Sequence, residues 1–73
     1  MFEKIKNILL EQLDIDEKDI KLDSKLIEDL GADSLDVAEI ISAIETEFNV
    51  EFKKEELNDI ETIQDIIVLL EKK

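Results

Sequence analysis

The chain has 73 residues, of which 21 are Asp or Glu and nine are basic, for a formal charge of −12, and it contains no His, Cys, Pro, Trp or Tyr. Disulfides, thiol chemistry and imidazole-dependent catalysis or metal ligation are therefore excluded, and a single aliphatic core near the lower size limit for unaided folding is expected. Residues 28–61 hold twelve acids against Lys53 and Lys54. This field repels nucleic acid and anionic lipid and steers the domain towards basic surfaces.

Residues 2–13 place Phe2, Ile5, Ile8, Leu9 and Leu13 on one helical face and Glu3, Lys4, Lys6, Asn7 and Glu11 on the other. This spacing predicts an amphipathic first helix. No apolar signal core precedes it and no run is long enough for a bilayer, so an unprocessed cytoplasmic protein without membrane insertion is expected. From Asp14 to Asp33, charges crowd around Ile15, Ile20, Leu22, Leu26, Ile27 and Leu30 with neither helical nor strand period. A long loop pinned to the core by those apolar residues is the reading. A calcium-loop interpretation fails: counted from Asp14, the required bend glycine is Asp19 and the bidentate glutamate is Lys25.

Gly31 is the only glycine, and beyond it a second helix is predicted over Ser34–Phe48. Asp33 reads as its N-cap and Asp36 as the capping-box partner, which leaves the Ser34 hydroxyl free in the first turn. A helix start carries unpaired N–H groups and favours a phosphate or other anion, although Asp-Ser before an apolar run is also the signature of a plain cap. Without histidine, Ser34 has no partner for a hydrolytic triad. Ile40, Ile41, Ile44 and Phe48 form the apolar stripe with Ala38 beside it, while Glu39, Glu45 and Glu47 line the polar side. Leu35 and Val37 fall near that acidic face, as a docking patch or as residues rolled into the core.

Asn49 is a natural helix-end residue, after which Val50 and Phe52 return to the core. Residues 54–60 can form only a short helix carrying Leu57 and Ile60, and Thr62-Ile63-Gln64-Asp65 is a capping-box start for a last helix with Ile63, Ile66, Ile67 and Leu70 at helical spacing. Lys72 and Lys73 suit its C-terminus. The fold class expected is all-α, a small four-helix bundle of three main helices and one short one with a long first loop, in one domain over residues 1–73. Nothing reads as a strand or a repeat.

With those elements in order, Asp29-Leu30-Gly31-Ala32-Asp33-Ser34-Leu35-Asp36 resembles the prosthetic-group attachment motif of acyl carrier proteins of fatty acid synthesis. The likeness covers the whole chain and includes Glu11-Gln12-Leu13, Glu39, Glu45-Thr46-Glu47-Phe48 and Glu55-Glu56. It implies that Ser34, within Asp33-Ser34-Leu35, is esterified by 4′-phosphopantetheine, delivered from coenzyme A by a magnesium-dependent phosphopantetheinyl transferase. It also implies that Asp33, Asp36, Val37, Glu39, Glu45 and Glu47 meet basic docking surfaces on fatty acid synthesis enzymes. The fatty acyl chain is then expected between the second and third helices, against Ile44, Phe52, Leu57, Ile60 and Ile66, in a monomeric carrier that catalyses nothing itself. Two positions depart from the family pattern. A common proline before the short helix is replaced in Phe52-Lys53-Lys54, which points to a looser turn, and a common methionine is Ser42, expected towards the acyl pocket. Carriers of the same build serving polyketide, peptide or D-alanine chemistry, and a plain acidic interaction module, are the alternatives.

Overall fold

Four helices follow the apolar periodicity: α1 (Phe2–Gln12), α2 (Ser34–Phe48), α3 (Lys54–Leu57) and α4 (Ile63–Glu71). The structure, a computed structural model, describes residues 1–73. The inward faces of the three long helices, with Ile5, Ile8 and Leu9 on α1, Ile40, Ile41 and Ile44 on α2, and Ile63, Ile66, Leu69 and Leu70 on α4, meet in one core. Loop residues Ile20, Leu26, Leu30 and Phe52 complete it. Because Ile5, Leu9, Ile40, Ile44 and Ile66 are wholly enclosed, truncating any of them to alanine costs about 2–5 kcal/mol, a large share of a small domain's stability. α3 buries no residue and rests on the surface as a single turn, ending at Leu57 rather than at residue 60.

Capping explains where the helices begin. Asp33 Oδ1 accepts the Asp36 N–H at 2.8 Å and Asp36 Oδ2 accepts the Asp33 N–H at 3.2 Å, closing the expected capping box. Gly31 just before it has φ +75°, a left-handed conformation that glycine adopts without strain. At the other end Asn49 takes the left-handed helix-end conformation, φ 55°, as its sequence position suggested. The start of α4 repeats the box with Thr62 and Asp65. Asp65 Oδ2 also accepts the Glu61 N–H, and these backbone donors, Thr62's foremost, hold its carboxyl below the usual aspartate range.

The long connection of residues 13–33 is stitched rather than loose. Within it, the buried Ser24 donates its hydroxyl to the Asp19 carbonyl at 2.9 Å and accepts the Lys21 N–H at 3.0 Å. The segment then runs antiparallel to the start of α4: Leu26 N–H donates to the Glu61 carbonyl, and the Ile63 and Gln64 N–H groups donate to the Ser24 and Leu22 carbonyls. Lys25 opposite Thr62 is an isolated bridge, not a strand. Of the apolar residues expected to pin this loop, Ile20, Leu26 and Leu30 do so, whereas Leu22 and Ile27 remain exposed because backbone bonds fix the segment in their place. A single 3₁₀ turn at Glu17–Asp19 is tied to α1 by the Lys6 ammonium, 2.9 Å from Glu17 Oε1.

Candidate functional site

Ser34 is the first residue of α2 and is exposed, and its hydroxyl makes no hydrogen bond within the chain, since Asp33 and Asp36 complete the cap without it. The N–H groups of Ser34 and Leu35 likewise have no acceptor in the protein. Both lie at the positive end of the helix dipole. The other two serines are differently placed: the Ser24 hydroxyl is buried and committed to the loop, and Ser42 is in mid-helix with no helix start beside it.

Directly beside Ser34 an apolar cavity of about 330 Å³ opens between α2 and the α3 region, lined by Val37, Ala38, Ile41, Leu57 and Ile60, with the Glu45 side chain at its edge. A smaller cavity of about 180 Å³ lies on the far side of Val37 and Ile60, against Leu26 and Ile27. Leu57 and Ile60 both border the cavity beside Ser34. Ile44 and Ile66 are wholly enclosed in the core and Phe52 is buried there, so none of these three lines the cavity at Ser34. Helical periodicity identifies a buried face but not which of its residues borders an opening. Ala38 and Ile41, which that periodicity does not single out, border it as well. The signal was present, because Ser34, Ala38, Ile41 and Glu45 recur at spacings of four, three and four and so share one face of α2.

The acidic face is also redistributed. Glu39 is exposed and has no intramolecular partner. Glu47 is near Lys4 of α1 at 3.6 Å, Asp36 is engaged in the cap, and Glu45 accepts the Phe52 N–H at 2.8 Å. Leu35 projects into solvent at 68 % exposure, but Val37 is half-buried and turned into the cavity. Ser42, expected towards the acyl pocket, instead lines a polar groove between α1 and α2 with Glu39, Thr46 and Glu47. Its wheel position is about 80° round from Ser34, which carries it away from α3.

A small helical domain that presents an unengaged hydroxyl at a helix start beside an apolar cavity has the build of a carrier. A family model described as "Phosphopantetheine attachment site" matches residues 3–70. The chain is 46 % identical to the acyl carrier protein of Campylobacter concisus over 99 % of this chain and 94 % of that one. It is 44 % identical to the acyl carrier protein of Wolinella succinogenes, over 97 % and 93 % of the two chains, and 46 % identical to that of Clostridium acetobutylicum, over 92 % and 87 %. The chain belongs to the phosphopantetheine-attachment family of carrier proteins, and 4′-phosphopantetheine is its prosthetic group. No helix is long and apolar enough to cross a membrane.

Proposed function

We propose that residues 1–73 form a single acyl carrier domain of fatty acid synthesis in which Ser34 bears the 4′-phosphopantetheine. The observation that carries this reading is the free Ser34 hydroxyl at the opening of the α2–α3 cavity. The residues present fit the group: the unpaired N–H groups of Ser34 and Leu35 and the α2 dipole favour a phosphodiester at this point, and the Asp33 and Asp36 oxygens used in the cap face backbone donors. When bound, the group supplies a terminal thiol on which an acyl chain is held as a thioester, chemistry that a cysteine-free chain otherwise lacks.

Val37, Ala38, Ile41, Leu57 and Ile60 then shield the acyl methylenes from water, each methylene contributing up to about 0.8 kcal/mol when fully buried. Glu39 and Leu35 form the docking centre for basic surfaces of the transferase and of fatty acid synthesis enzymes, with Asp36 and Glu47 at its margin. The protein works as a cytoplasmic monomer and catalyses no step of its own. Electrostatic steering suits a carrier that must visit many enzymes briefly, because it speeds encounter without prolonging residence.

The test is intact-mass analysis after incubation with coenzyme A and a broad-specificity phosphopantetheinyl transferase. The parent gains one phosphopantetheine and Ser34→Ala gains none. Modification of the alanine variant, or of Ser24 or Ser42 in the parent, refutes the assignment.

A further inference from the structure

α3 is the least anchored wall of the Ser34 cavity, a single helical turn with no buried residue, yet it supplies Leu57 and leads into Ile60. Its attachment comes from the far end of the chain. The Lys73 ammonium, just beyond α4, donates to Glu56 Oε1 at 2.7 Å and lies 5.6 Å from the centre of the Phe52 ring. Both members of the ion pair are mostly sheltered, the Lys73 and Glu56 side chains being 20 % and 23 % exposed. Among the ion pairs of the chain this is the one with both partners so covered; the others are open on at least one side.

Glu56 Oε1 also accepts the Lys53 N–H at 2.8 Å, so one carboxylate fixes the start of α3 and fastens it to α4. These two donors, the Lys53 N–H foremost, hold the Glu56 carboxyl below the usual range. The turn depends on this support because little else stiffens it: residue 53 is lysine, not proline, and beyond the Glu56 cap the backbone bonds of α3 are only those of the Glu56 and Leu57 N–H groups to the Lys53 carbonyl and the two turns that follow. Cutting the ion pair leaves the turn its four backbone bonds and the Glu56 cap on the Lys53 N–H, with no hydrogen bond or ion pair to the end of α4.

We infer that Lys73 is a positioning residue that clasps α3 to α4 through Glu56 and Phe52, and so limits how far the cavity beside Ser34 can widen for a longer acyl chain. The inference rests on the reading of that cavity as the acyl site. An intact clasp keeps Leu57 and Ile60 close to Ala38 and Ile41. A broken one lets the turn lift, so that a longer chain is sheltered and a shorter one packs less well.

The test compares the parent with Lys73→Met, Glu56→Gln, the double variant and Lys73→Arg. Methionine keeps an apolar stem over Phe52, and glutamine keeps an acceptor for the Lys53 N–H, so each removes the ion pair with little else. Hydrogen exchange in the unacylated protein reads the clasp: the amides of residues 56, 57, 59 and 60 should exchange about threefold faster in each single variant, no faster again in the double, and at the parent rate with arginine. Melting temperatures of holo proteins loaded with a series of saturated acyl chains read the cavity. The chain length giving the largest rise over the unacylated form should move upwards in Lys73→Met. A merely structural pair would lower every melting temperature equally and leave that optimum in place. Unchanged α3 exchange, or faster exchange with an unmoved optimum, overturns the inference. A parent that gains nothing from any acyl chain overturns the acyl-site reading and the inference together, and is distinguished by appearing in the parent itself.

Discussion

Glu45 of α2 accepts the backbone N–H of Phe52 through Oε2 at 2.8 Å, across the turn that joins α2 to α3. A carboxylate that sequence reasoning assigned to partner docking thereby holds the loop in place. The bond satisfies a donor beside a buried ring, where water cannot readily replace the acceptor. Glu45→Ala should lower the unfolding free energy by about 1–2 kcal/mol, and Glu45→Gln by clearly less, since the amide oxygen can still accept. Urea melts of the two variants against the parent check this, and equal losses would show that the hydrogen bond is not the cause.

The cap of α2 separates the structural role of Asp33 from the proposed attachment role of Ser34 at adjacent positions. Asp33→Ala removes the acceptor of the Asp36 N–H and should cost about 1 kcal/mol, whereas Ser34→Ala should change stability by less than about 0.5 kcal/mol. Circular dichroism melts of both proteins in one buffer decide it. A serine variant as destabilised as the aspartate variant would mean that the hydroxyl has a structural partner in solution.

Glu39 is the acid of the α2 face with no intramolecular engagement, so its charge is the one most available to a partner. Glu39→Lys should slow transfer by a basic-surfaced synthase at least several-fold, mainly through association, with little change in melting temperature. Glu47, near Lys4, should give a smaller effect on reversal. Stopped-flow rates across a salt series measure both. Rates indifferent to salt and to Glu39→Lys would remove the docking face.

Asp65 supplies an acid-sensitive contribution. Its folded-state pKa lies below the ordinary value of 3.8 because the Thr62 and Glu61 N–H groups bond to the ionised carboxylate. The associated stability is complete above that ordinary value and is lost as pH falls through the lower folded value. The advantage of the parent over Asp65→Asn should therefore be constant from pH 7 down to about 5, then shrink below about pH 4. Paired denaturant melts from pH 7 to pH 2.5 test it; an advantage undiminished at the acid end contradicts the linkage.

The helices were legible where a short-range signal marks both their start and their face. Asp33 and Asp36 announce α2, Asn49 closes it, and Thr62 with Asp65 starts α4, because capping is a contact between residues three apart. The exposed position of Ser34 at the start of α2 was legible for the same reason. The cavity was not: Ile44 and Ile41 belong to one apolar stripe, and only the placement of α3 decides that Ile41 borders the opening while Ile44 is enclosed. Nor could charge alone show that Glu45 bonds a main-chain donor seven residues on, or that Lys73 reaches Glu56, since both partners are set by the packing of α3. The stitching of residues 22–26 to the start of α4 is main-chain bonding between distant segments and leaves no side-chain pattern to read.

The bridge between Lys25 and Thr62 makes about half of the chain an excursion that departs from one place and returns to it. Everything next to Ser34 lies within that excursion: α2, the turn held by Glu45, α3 and Ile60. α1 and α4 flank it and supply the rest of the core. Closing so long a segment costs configurational entropy that rises only slowly with its length, so residues inserted in the α2–α3 turn add little to that cost. The excursion is accordingly a cassette: its internal dimensions can be altered, by a longer turn or a different side chain at residue 57, while its two ends stay registered on the same frame.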